Sequence, residues 1–194
     1  MDKELSEKQK EEMFKEFIKV RDDFLLETEH DNLLIIILKA HMFIEQELYK
    51  IIEKVMVNPE ALKLKYLSEK LQLVYALGLV EKDAYASLTK LNDIRNSYAH
   101  NLNFQMGERE LDYLKSPLSK KSLKEFHGTL PEGIKFKNLD FISKVRMILS
   151  YLCSTIVIER LLSTFTMIER SMDLQLKDLE ILQNFITSNS DAND

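Results

Sequence analysis

Two side chains near the middle of the chain are of the types that hold phosphates and move protons. Arg95 presents a forked set of donors with a permanent charge, and His100, five positions on, titrates near neutrality. Together they suit phosphate chemistry: the guanidinium grips phosphate oxygens while the imidazole takes or gives a proton. The spacing alone carries little, since a chain of this composition yields an Arg followed at such a distance by a His in roughly one case in three. An ordinary solvated helix end would read the same way, and a cationic His there gains from the helix dipole. The surrounding residues have to decide.

A second pair, His41 and Glu45, stands one turn apart in AHMFIEQEL. It could support a phosphate cleft, or hold a metal if a third ligand came from elsewhere. No third ligand can be named, so no metal site is assigned. The favoured reading is a boundary pair joined by a local hydrogen bond. His30 and His127 fall in predicted loops and receive no role.

The elements that must position these groups are helices. Around Arg95, apolar residues recur at Leu88, Leu91, Ile94 and Tyr98, so one stripe of this segment faces a core. Counted from Ile94, Arg95 lies about 100° to one side and His100 about 120° to the other. Both therefore flank an outward face that also carries Asn92, Asp93 and Asn96. Asn96 precedes His100 by one turn and could orient the imidazole or a phosphate.

Upstream, Ser6-Glu7-Lys8-Gln9 has the form of a capping box and opens a first amphipathic helix reaching Glu27. Asp31 can cap a second, from Asn32 to about Val57, whose opening LLIIILKA is apolar nearly all round, as a central helix should be. Asn58-Pro59-Glu60 reads as the start of a third, which stops at Gly78. Glu81 to Asp83 then opens the helix that carries Arg95. From Asn101 to Lys137, Gly and Pro punctuate an irregular insertion in which only short turns such as ERELDYLK are expected. Beyond Asn138 neither Gly nor Pro occurs, and the pattern describes one long helix to at least Arg170, continued by LQLKDLEILQNFI.

The 194 residues, with four Gly, three Pro and scarce strand-type alternation, predict an all-α protein: about five helices in one bundle domain over residues 1–187, with a long C-terminal helix and a disordered tail from Ser188. The single Cys153 excludes an intramolecular disulfide. The net charge of −5 argues against broad nucleic-acid binding, although Lys115, Lys120, Lys121, Lys124, Lys135 and Lys137 make the insertion locally basic. A solvated loop is the favoured reading of those lysines; an RNA-approach surface is the sharper one. Met1 to Glu12 is dominated by charge rather than a signal segment, and the apolar run Leu33 to Leu38 is too short to span a bilayer. A cytoplasmic protein without membrane contact is the expectation.

On this frame, Arg95-Asn96-Ser97-Tyr98-Ala99-His100 resembles the signature of the HEPN superfamily of helical-bundle proteins: an Arg, a polar residue, then a His near the end of a helix. The longer stretch EKLQLVYALGLVEKDAYASLTKLNDIRNSYAHNLNF is similar to the mannitol-repressor branch, where a Leu-Gly-Leu element leads into a helix ending in Ile-Arg-Asn, aromatic-Ala-His. By helix order the resemblance covers about Asn32 to Arg170, and it is specific between Glu69 and Phe104.

The resemblance implies a HEPN-like bundle and a homodimer whose two motif helices pool Arg95 and His100 in one cleft, with Asn96, Asp93, His41 and Glu45 in support. In the catalytic members such a cleft cuts RNA without metal or cofactor. The His deprotonates a ribose 2′-OH, the Arg holds the phosphate, and a cyclic phosphate is left. The superfamily includes ribonuclease toxins, RNA-processing factors and non-catalytic regulators. Two functions follow: a metal-independent endoribonuclease or RNA-binding module of toxin or defence type, or a regulatory interaction protein resembling the mannitol operon repressor. RNA and a protein partner, antitoxin or regulator, are the candidate partners. Direct DNA binding is not expected from an acidic chain without a helix-turn-helix signature.

Overall fold

The computed structural model describes the backbone of residues 6–190 and the side chains of residues 6–183. Among them the protein is all-α, with seven α-helices: α1 (Glu7–Glu27), α2 (Leu33–Val55), α3 (Leu67–Ala76), α4 (Lys82–His100), α5 (Glu108–Lys115), α6 (Lys120–Gly128) and α7 (Phe141–Ser190). Single 3₁₀ turns at Pro59–Ala61 and Phe136–Asn138 complete the list.

The first helix begins on the expected reciprocal cap. The Gln9 backbone N–H donates to Ser6 Oγ at 3.3 Å, and the Ser6 N–H donates to the Gln9 side chain at 2.9 Å. α2 is capped by Asn32, whose Oδ1 accepts from the Ile35 N–H at 3.1 Å; the expected cap, Asp31, instead pairs with Lys39 at 2.7 Å.

The signal at Asn58-Pro59-Glu60 delivers one 3₁₀ turn and no helix. Asn58 makes no side-chain cap bond, and α3 starts only at Leu67. There the Glu69 carboxylate accepts the backbone N–H groups of Lys65 and Tyr66, at 2.7 and 3.1 Å, which supplies the missing cap. The insertion also differs from expectation. ERELDYLK forms all of α5 and KKSLKEFHG forms α6, so the insertion carries two short helices, and His127 sits on the second. Ser119 caps α6 through the Ser122 N–H, a start signal that the nearby Gly and Pro residues had masked.

α2 is the central rod. Ile36, Ile37, Ala40, Ile44, Leu48 and Ile51 are wholly buried, packed mainly against α7, α3 and α4. Each of these Ile and Leu side chains contributes about 1.5–3 kcal/mol through burial. α7 lies against both α1 and α2, and polar ties fix it there. Arg146 donates to the Leu25 carbonyl and, at 3.2 Å, to Thr28 Oγ1, so it closes the open end of α1. Arg160 reaches the buried Glu47 of α2 at 2.6 Å, and Lys50 holds the other oxygen of the same carboxylate at 2.5 Å.

An 18-residue window of α7 is apolar enough by length and composition to cross a bilayer, and 56% of that window is buried inside the bundle. Among the described residues, its core segment therefore spends its hydrophobicity on α1 and α2.

Beyond Met167 the character of α7 changes. Every described residue from Ile168 to Gln183 is exposed, including Met172, Leu176, Leu179 and Leu182. Arg170 still ties this part of the helix to α3: its guanidinium donates to the Leu77 carbonyl and occupies the space beside Gly78. Gly78 ends α3 in the left-handed region, with φ +59°. The tail expected to be disordered from Ser188 starts on this helix, which runs to Ser190; residues 191–194 lie outside the described residues.

Candidate functional site

The core stripe of α4 is buried as its spacing requires: Leu88, Leu91 and Ile94 are 1, 0 and 2% exposed. That burial fixes the rotation of the helix and hence where its polar residues point. Tyr98 is half-buried, with its ring edge-on to Phe104 at 4.7 Å and its hydroxyl accepting the Met106 N–H at 3.3 Å. The chain leaving α4 is thus folded back on the last turn of the helix.

Asn92 does not face outward. It is half-buried against α2, and its Oδ1 accepts from His41 Nε2 at 3.3 Å. Asp93 is exposed but tied to α5, accepting the Tyr113 hydroxyl at 3.0 Å. Asn96 turns to its neighbour: its Oδ1 accepts from Arg95 Nη1 at 3.2 Å. It therefore orients the guanidinium rather than the imidazole of His100.

Arg95 is half-buried, and its Nε is shut off from solvent without a hydrogen-bond partner. A stripped guanidinium N–H with no acceptor is costly, and most buried donors find one. His100 lies exposed on the final turn, with no hydrogen bond or ion pair among the described residues. One chain therefore does not bring Arg95 and His100 into mutual contact.

His41 and Glu45 are not joined to each other by a hydrogen bond. Glu45 takes Lys70 of α3 at 2.7 Å, and His41 crosses to Asn92. Burial lowers the His41 pKa below its ordinary value. The Asn92 bond and the Glu45 charge oppose that shift, while the nearby charges of Arg95 and Lys70 reinforce it. His41 is thus held neutral, with Nε2 as its donor, at neutral pH.

The structure assembles a polar seam between α2, α3 and α4, running Lys70, Glu45, His41, Asn92, Arg95 and Asn96. Asn92 and Lys70 are the members that sequence spacing did not select. The spacing puts Asn92 with the outward group, and nothing local in LSEKLQLVYA of α3 marks Lys70 as a tertiary partner. Among the described residues no cluster of His, Cys, Asp or Glu could hold a metal ion. Beside the seam, α2 exposes an apolar strip of Leu34, Ile35, Met42 and Tyr49. No family model, no curated protein and no solved structure matches this chain.

Proposed function

We propose that the chain is a HEPN-type ribonuclease that works as a cytoplasmic homodimer, with the ends of two α4 helices facing one another. The observation that carries the reading is Arg95. Its guanidinium is held by Asn96, kept beside a neutral His41, and left with one buried donor unsatisfied. A phosphate oxygen is an acceptor of the right charge and geometry for such a group. The exposed apolar strip on α2 adjoins this seam and supplies surface that a second copy could cover.

In this reading His100, exposed and unpaired, acts across the dimer as general base on a ribose 2′-OH. Arg95 stabilises the charge that builds on the phosphate as the 2′-oxygen attacks and the 5′-oxygen leaves. The products are a 2′,3′-cyclic phosphate and a free 5′-hydroxyl, and no metal takes part. The test is cleavage of single-stranded RNA, with DNA as control, by wild type and by Arg95→Ala and His100→Ala.

A regulatory module resembling the mannitol repressor, recognising a protein partner without chemistry, is the second reading. It is favoured by the separation of His100 from Arg95 within one chain. Wild-type protein that binds a partner yet leaves varied RNAs intact selects it.

A further inference from the structure

A cavity lies away from this seam. It opens between α1, α6, α7 and the start of α4, with a volume of about 820 Å³, within the usual range for small-molecule sites. Arg95 and His100 are at the opposite end of α4, about 20–25 Å along the helix axis. Its walls are mostly apolar, with Met13, Phe17, Leu152 and Leu162 prominent among them.

The charged groups at its rim are largely matched already. Lys10 pairs with Glu7 at 3.0 Å, and Lys121 lies 3.9 Å from Glu125. Asp83 accepts from Ser119 and Ser122, at 2.7 and 2.8 Å. Two carboxylates remain. Glu159 of α7 receives one bond, from the Glu81 backbone N–H at 3.3 Å, and the Glu81 carboxylate has no partner among the described residues. The two stand close enough for the Glu81 charge to disfavour ionisation of Glu159. Burial adds the larger effect, and the Glu159 carboxyl is pushed up to about 7. Among the described residues, this apolar cavity holds two carboxylates, Glu81 and Glu159, that no cation pairs.

We propose that this cavity binds an amphiphilic amine, its apolar body against Phe17, Leu152 and Leu162 and its ammonium group between the carboxylates of Glu81 and Glu159. The hydrophobic walls supply affinity, and the carboxylates supply the choice of head group. This site is independent of the ribonuclease reading and survives its failure.

The test is calorimetric titration of the full chain at about pH 8, where Glu159 is ionised, with octylamine, octanoate and octanol, which share one body. Octylamine binds at least about 10-fold more tightly than the other two, the worth of a single good charge pair. Glu159→Gln weakens octylamine by about that factor and leaves octanol unchanged, and Glu81→Gln, at an exposed side chain that makes no cap hydrogen bond, weakens it in the same sense. Leu162→Trp, which fills the cavity, removes binding of all three. Octanoate binding as well as octylamine overturns the proposal. So does octylamine affinity untouched by both carboxylate variants or by Leu162→Trp, or no binding by any probe.

Discussion

His41 Nε2 and Asn92 Oδ1 meet at 3.3 Å across the contact between α2 and α4, a bond that holds Asn92 away from the outward face of α4. With Asn92 turned inward, Arg95 follows it toward α2 and becomes half-buried, while Asp93 and His100 stay at the surface. The seam is therefore a packing feature first, and its chemistry is built on a helix whose rotation is already set.

Stability should report on His41. Its pKa is lowered in the folded state, so the unfolded chain takes up a proton first as pH falls below the ordinary value of 6.5. The folded state then loses stability until its own lowered pKa is passed. Denaturation by urea across this window should show a steeper loss for wild type than for His41→Gln, and equal slopes would place the titration elsewhere.

The chemical prediction concerns coupling. His100→Ala should reduce RNA cleavage by about 10²–10⁴-fold, and Arg95→Ala should also impair it. The double variant should fall well short of the product of the two losses, because both groups act on one transition state. Chelation with EDTA should change nothing. Cleavage that persists in both single variants would belong to a contaminant.

For the core stripe, Leu91→Ala and Ile94→Ala should each cost about 2–5 kcal/mol, read as a fall in the denaturation midpoint. Near-neutral results would mean that the burial of this face contributes little.

Glu159 gives the opposite pH dependence from His41. Its carboxyl, at about 7 when folded against an ordinary 4.5, keeps its proton in the folded state while the unfolded chain loses it. Wild-type stability from this group is full below pH 4.5 and is lost as pH rises through about 7. Glu159→Gln should therefore be more stable than wild type at about pH 8, by on the order of 1–3 kcal/mol, and gain nothing at about pH 4. A gain of equal size at both ends would separate the effect from ionisation.

The long periodic segments were legible from sequence because period and burial coincide in them. Ser6 and Gln9 mark the start of α1, and Leu88, Leu91 and Ile94 mark the inner face of α4. What sequence missed depends on partners far along the chain. α3 begins where Glu69 caps it, not where Pro59 invites it, and α6 was hidden by the turn residues around it. At the site, Arg95 and His100 were readable as types. The roles of Asn92 and Lys70 required the neighbouring helices, since their partners lie 51 and 25 positions away.

The projecting half of α7 has a mechanical consequence. The helix packs on α1 and α2 along its first half, and from near Arg170 to Gln183 its described residues are exposed. A helix rises 1.5 Å per residue, so the part beyond that point forms an arm roughly 30 Å long. A tilt of about 10° at its root sweeps the tip by about 5 Å. Such a tilt would bear on the contact between Arg170 and the Leu77 carbonyl, at the end of α3 beside Gly78.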